Sequence, residues 1–318
     1  MLSRQWRLPC LFASILFSVT GVAADSDQRA RGDRHTPRAF ATLIHCGPDV
    51  DGWYVCTSDN FRIRHRLSLE LAQRVAEAAE KARDKAHQLW LGNAPTFWRP
   101  RCDIRIHPDG QAYWRETGVS PDSRGHSRFV VEEGRVVSRV IELHVDDPEM
   151  LTAILPHEVT HAVMAGLAGD RPVPRWADEG MAILAEPSRS TDAYQMRLLA
   201  AGDRIFALRD LMEMDYPAGA RADLFYAESA SLVRFLVRQK DGGRFTAFIR
   251  DSMRLGCRAA LDQDYGFHSL DELRDRWRDA TFPRHASGPA TAMASPGSAS
   301  NASLSPSNER ERVAGPHP

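Results

Sequence analysis

Two histidines four residues apart enclose a glutamate in the segment L-P-H-E-V-T-H-A-V-M-A-G-L, residues 155–167. On a helix, His157 and His161 lie one above the other on one face, so both imidazoles reach a single ion. Glu158 follows the first histidine and leans over the same point, where it takes a proton from metal-bound water. Zinc used this way needs a third protein ligand and one position open to water. The next acidic cluster is R-P-V-P-R-W-A-D-E-G-M-A-I-L-A-E, residues 171–186. Glu179 is the expected third ligand, and Asp178 is its rival.

These residues need two helices to carry them. Asp147 and Pro148 mark a helix start, with Glu149 in its first turn, and Gly166 and Gly169 mark the end. Pro156 removes a helix hydrogen bond, so either the helix kinks there or a short helix meets the metal helix. Pro174 opens the second helix and Pro187 closes it. Upstream, A-F-A-T-L-I-H, W-Y-V-C and F-R-I-R-H within 39–65 read as short strands. Residues 68–91 form an amphipathic helix, capped by Ser68 and ended by Gly92. C-D-I-R-I-H and R-V-V-S-R-V-I-E-L-H-V alternate apolar and polar residues as strands, with turns and short extended pieces between them. From Asp147 to about residue 280 the pattern is helical. The expected fold is α+β: a mixed sheet with a helix over 39–146, then a mainly helical part over 147–282 that carries the metal helix. An exposed edge on the strand 136–145 is expected to pair with an extended peptide.

At the metal segments the chain resembles a known group. H-E-V-T-H at 157–161 and P-R-W-A-D-E-G-M-A at 174–182 are similar to the H-E-x-T-H and P-R-W-x-x-E-G-x-A of bacterial peptidase MA-like proteins. Those belong to the gluzincin clan of zinc peptidases, and the resemblance spans roughly residues 100–240. It implies a zincin-like domain, Zn2+ held by His157, His161 and Glu179, and Glu158 as general base. It also points to Tyr226, in L-F-Y-A-E-S-A-S-L-V-R-F-L, as an oxyanion donor. A core aromatic on an amphipathic helix is the other reading of Tyr226, and Tyr194 is an alternative donor. Zinc aminopeptidases of the clan carry a G-x-M-E-N segment that this chain lacks, which disfavours an aminopeptidase.

Composition sets the context. The 318 residues are 43% hydrophobic with a formal net charge of -1. That supports a sizeable core and gives no basic character for nucleic acid or an anionic membrane. Arg4 and Arg7 precede an apolar run, Leu8 to Val19, and the small residues G-V-A-A, so residues 1–24 read as a signal peptide. The run is too short for a comfortable span, so the mature protein is expected to be exported, periplasmic or extracellular, without a membrane span. Residues 25–38 read as a flexible segment, and 283–318, rich in Ser, Ala, Pro and Gly, as a disordered tail. Four cysteines then remain. Cys46 with Cys56 and Cys102 with Cys257 are the preferred disulfides, and free thiols are the alternative. His107, His126, His144 and His268 are isolated in sequence and read as structural or surface histidines. The expected function is a zinc peptidase acting on a peptide or protein substrate. The alternatives are a non-catalytic envelope binding module on the same scaffold, or a zinc hydrolase of a non-peptide amide.

Overall fold

Alternating apolar residues in the first half of the chain make strands, and one long amphipathic segment makes the helix that covers them. A computed structural model describes residues 4–9, 44–49, 51–92, 97–120, 122–215, 217 and 219–282. Strands β1 (Arg4–Pro9), β2 (Ile44–Cys46), β3 (Tyr54–Thr57) and β4 (Phe61–His65) precede helix α1 (Leu69–Ala86). Ser68 caps α1, its Oγ accepting the N–H of Leu71 at 3.2 Å. The buried face of α1 carries Ala72, Val75, Ala76 and Ala79. A π-helical turn over His87–Leu91 extends it, and Gly92, at φ 66°, ends it in the left-handed region.

Strand β5 (Cys102–His107), helix α2 (Gly110–Thr117) and strands β6 (Gly125–Glu132) and β7 (Arg135–His144) follow. Glu133 at φ 50° and Gly134 at φ 72° turn β6 tightly into β7. The sheet runs β1-β6-β7-β5-β4-β3-β2. The β4–β5 and β5–β7 pairs are parallel and the rest antiparallel. Ile63, Ile104 and Ile141 stand in register across the centre and are fully buried.

Helices fill the second half: α3 (Leu155–Met164), α4 (Arg175–Ile183), α5 (Ser188–Ala201), α6 (Leu208–Glu213), α7 (Ala222–Gln239), α8 (Gly242–Leu255), α9 (Cys257–Tyr265) and α10 (Leu270–Thr281). The architecture is therefore α+β, with a mixed sheet ahead of a mainly helical part. The described residues belong to one compact unit that ends at Pro283. Among them no helix is long and apolar enough to cross a membrane. The segments expected to be flexible (25–38) and disordered (283–318) lie outside the described residues, as do most of residues 1–24.

Several expectations change. The strand around 136–145 has no exposed edge: β7 lies between β5 and β6. The stretch read as turns and extended pieces contains α2, whose N-cap Asp109 accepts from Ala112 N–H and whose end is Gly118 at φ 71°. Pro187 does not close α4. That helix ends at Ile183, and Pro187 is the N-cap of α5. The preferred disulfides do not form, since Cys56, Cys102 and Cys257 are free thiols. The register gives the reason. Cys46 stands opposite Val55, one residue off Cys56. Cys102 is in the sheet interior opposite Phe61, whereas Cys257 starts α9.

Candidate metal centre

The metal helix grows out of β7 through a tied-down turn. Asp147 Oδ1 accepts the N–H of Glu149 at 2.8 Å, as a helix cap does. The Arg124 side chain bonds Asp147 and reaches Glu149 Oε2 at 2.9 Å. Burial alone would raise the pKa of Asp147, but the Arg124 bond and the Glu149 N–H outweigh it and hold the carboxyl below its ordinary value. A π-helical turn over Met150–Ile154 then runs straight into α3. Pro156 falls in the first turn of α3, where its lack of an N–H costs little. A short wide-pitched turn thus joins the metal helix at the proline, which settles the choice between kink and junction.

Helix α4 brings the third donor. Pro174 precedes it, and Glu179 and Gly180 lie in its middle. A Cβ on Gly180 would sit 2.4 Å from Val233 Cγ2 and 2.6 Å from the Ser229 carbonyl oxygen. Only glycine allows this approach of α4 to α7, and it seats the neighbouring Glu179.

The three donors converge. His157 Nε2 and His161 Nε2 are 3.2 Å apart, and Glu179 Oε2 lies 3.5 Å from the first and 3.7 Å from the second. All three side chains are buried. Bonds of about 2.0–2.2 Å arranged tetrahedrally around one ion space their donors by about 3.3–3.6 Å. The observed triangle matches that spacing, and the group can hold a metal ion.

The far side of each imidazole is also engaged. His157 Nδ1 is 2.9 Å from Glu186 Oε1, and His161 Nδ1 is 3.0 Å from Asp178 Oδ1. The Glu186 bond at Nδ1 of His157 holds a proton there and turns its Nε2 lone pair toward the shared point. Asp178, the rival for the third ligand, lies behind His161 and outside the triad. Glu186 was not anticipated as a partner. Its only signal was its place at the end of the same acidic cluster, in the turn between α4 and α5.

Glu158 is fully buried, and among the described residues neither of its carboxylate oxygens has a hydrogen-bond partner. Such a carboxylate is costly unless something comes to it. A cleft lined by Phe129, Val131, Met164 and Val173 reaches His161 and Asp178. A larger cavity lies elsewhere, among Trp176, Met212, Met253, Cys257 and His268, and includes none of the triad.

No family model matches the chain, and no curated protein matches it.

The remaining candidates are distributed as follows. Tyr226 is buried on α7 with its ring 5.8 Å from that of Phe225. It lies one turn before Ser229 on the stripe of α7 that meets Gly180. Tyr194 is buried on α5, with the Arg197 guanidinium 5.8 Å from its ring centre. His268 is exposed beside Asp262 at 2.7 Å. The other three histidines, apart in sequence, gather in space. His107, His126 and His144 surround Tyr113 on the sheet face covered by α2, with ring centres 5.3–5.6 Å from the tyrosine's. His107 Nε2 is 2.8 Å from Glu142 Oε2, and the Tyr113 hydroxyl is 2.6 Å from His126 Nδ1. His107 and His126 are hydrogen-bonded groups of the fold, the role expected of them.

Proposed function

We propose that this protein is an exported zinc-dependent peptidase of gluzincin type, with His157, His161 and Glu179 as ligands and Glu158 as general base. One observation carries the reading. Three buried donors from two helices lie at metal spacing, each imidazole has a carboxylate behind it, and the next residue after His157 is a buried glutamate with no hydrogen-bond partner among the described residues. Two nitrogens and one carboxylate oxygen suit zinc better than the oxygen-rich sets that calcium and magnesium take. Bound zinc would supply a water of lowered pKa and a Lewis acid for the scissile carbonyl.

The chain's own groups do the rest. Glu158 accepts the proton of the attacking water and passes it to the leaving amine. It follows His157 directly on α3. Tyr226 donates its hydroxyl proton in a hydrogen bond to the oxyanion that forms at the carbonyl. The substrate is an extended peptide whose side chain enters the cleft formed by Phe129, Val131, Met164 and Val173. Its backbone pairs with the outer edge of β6, which Arg4–Pro9 takes up here and which signal cleavage would release. Without a G-x-M-E-N segment to hold a free amine, the enzyme is not an aminopeptidase.

The test is metal analysis of the purified mature chain, followed by digestion of a peptide library with and without a chelator. One zinc per chain and cleavage that stops with chelator and returns with zinc is the expected result. Zinc bound with no peptide cleaved would turn the reading toward a non-peptide amide. A chain that binds no metal would sink it and leave a binding module.

A further inference from the structure

A second buried oxygen without a partner among the described residues lies on the core face of the sheet. Ser127 lies on β6 and pairs with Ile141, which continues the row of Ile104 and Ile63. Directly paired residues point to the same face, so its side chain is on the core face together with Gly125 and Phe129. It is fully buried, and among the described residues its Oγ has no hydrogen-bond partner.

Helix α3 packs against β6, and two contacts set their alignment. A Cβ on Gly125 would lie 2.8 Å from Ile154 Cγ2. Four residues further along β6, Phe129 lines the cleft that His161 also lines. Ser127 is two residues past Gly125, an advance of about 6.6 Å along the strand. Glu158 is four residues past Ile154, an advance of about 6 Å along the helix, on the stripe that carries Ile154. The serine and the glutamate therefore stand at one level of the α3–β6 contact. Three buried oxygens without a hydrogen-bond partner among the described residues thus lie at that level. Serine is both donor and acceptor and turns freely about one bond, whereas an ionised carboxylate only accepts.

We infer that Ser127 is a positioning residue of the reaction site: its hydroxyl donates to the Glu158 carboxylate through one bridging water. The hydrogen bond fixes which carboxylate oxygen faces the attacking water and leaves the other free to accept its proton. The role in catalysis rests on the peptidase reading; the pairing does not.

The experiment is a double-mutant cycle on the full mature chain as purified, read as melting temperature, with Ser127→Ala, Glu158→Ala and the double variant. If Glu158→Ala does not fold, Glu158→Gln takes its place. Coupled residues give shifts that fail to add, and a discrepancy of about 2 °C or more is expected. Additive shifts overturn the pairing whatever the activity. The second arm measures cleavage of unfolded casein. Ser127→Ala should lower kcat about 10-fold with KM and zinc content unchanged, and Ser127→Thr, which keeps the hydroxyl, should recover most of it. Coupled melting shifts in a chain that cleaves no casein would leave the pairing standing and count against the peptidase reading. Cleavage by Ser127→Ala at the parent kcat would remove the catalytic role.

Discussion

At the scale of single residues, the proposed site divides into groups that hold, groups that orient and one that reacts, and each should fail differently when altered. Glu158 is buried, has no hydrogen-bond partner among the described residues, and is one residue from the proposed ligand His157. Glu158→Gln should therefore lower turnover by at least about 100-fold while bound zinc, measured by metal analysis, stays at the parent level. Glu186 lies behind His157, with Oε1 2.9 Å from Nδ1. Glu186→Gln should weaken zinc binding by about 10- to 100-fold in a chelator competition and leave the fold intact. Tyr226→Phe should cut kcat by about 100-fold without loss of metal if the hydroxyl serves the oxyanion. A kcat equal to the parent's would return Tyr226 to the core. His157 and His161 were legible in the sequence because four-residue spacing on a helix is a local fact. Glu186 and Ser127 were not, because each meets its counterpart only through a chain reversal or a strand-on-helix contact.

At the scale of elements, the decisive contact is between α4 and α7. Gly180 lets the two backbones approach, and a methyl group there would strike Val233 and the Ser229 carbonyl. Gly180→Ala should wedge the helices apart, at a cost of about 1–3 kcal/mol. It should lower the melting temperature by several degrees and weaken zinc binding as Glu179 moves with its helix. Unchanged zinc affinity with a lowered melting temperature would show that Glu179 tolerates the shift. The E-G pair was visible in sequence, but its reason lies fifty residues downstream on α7. The missed helix α2 makes the complementary point. Its signals, Asp109 and Gly118, are local and conventional. The segment is short and half polar, so periodicity carried little weight against the turn residues around it. The edge assigned to 136–145 failed for a different reason. An alternating strand says which face is buried, but nothing about which neighbours flank it.

At the scale of the whole molecule, the two faces of the sheet differ. The face toward α3 bears the proposed reaction site. The face toward α2 bears a buried charge cluster built on Glu142, which pairs with His107 at 2.8 Å, Arg128 at 2.7 Å and Arg105 at 3.1 Å. His107 Nδ1 also lies 3.7 Å from Glu116 Oε2. Burial alone would raise the pKa of Glu142, but the His107 bond and the charges of Arg105, His107 and Arg128 hold it below its ordinary 4.5. A depressed carboxylate adds stability above its unfolded pKa, and loses that stability as pH falls through the folded value. The melting temperature of Glu142→Gln should therefore lie furthest below that of the parent near neutral pH. The gap should narrow as pH falls below about 4.5. A gap that stays constant down to about pH 3 would show that the cluster contributes no proton linkage.

The sequence by itself determined the helix that carries His157, Glu158 and His161, the second helix that follows within one short connection, and the order of sheet before helices. All of these depend on spacing along a few turns of chain, which backbone geometry converts directly into position. Only the tertiary structure decided which of two neighbouring carboxylates joins the imidazoles. It also decided which acids stand behind them, that β7 is an interior strand, and that the cysteines stay apart. Each of those outcomes depends on the rotation of one element about its axis or its place across the sheet. Those are fixed by the packing of distant segments against one another, which local periodicity does not encode.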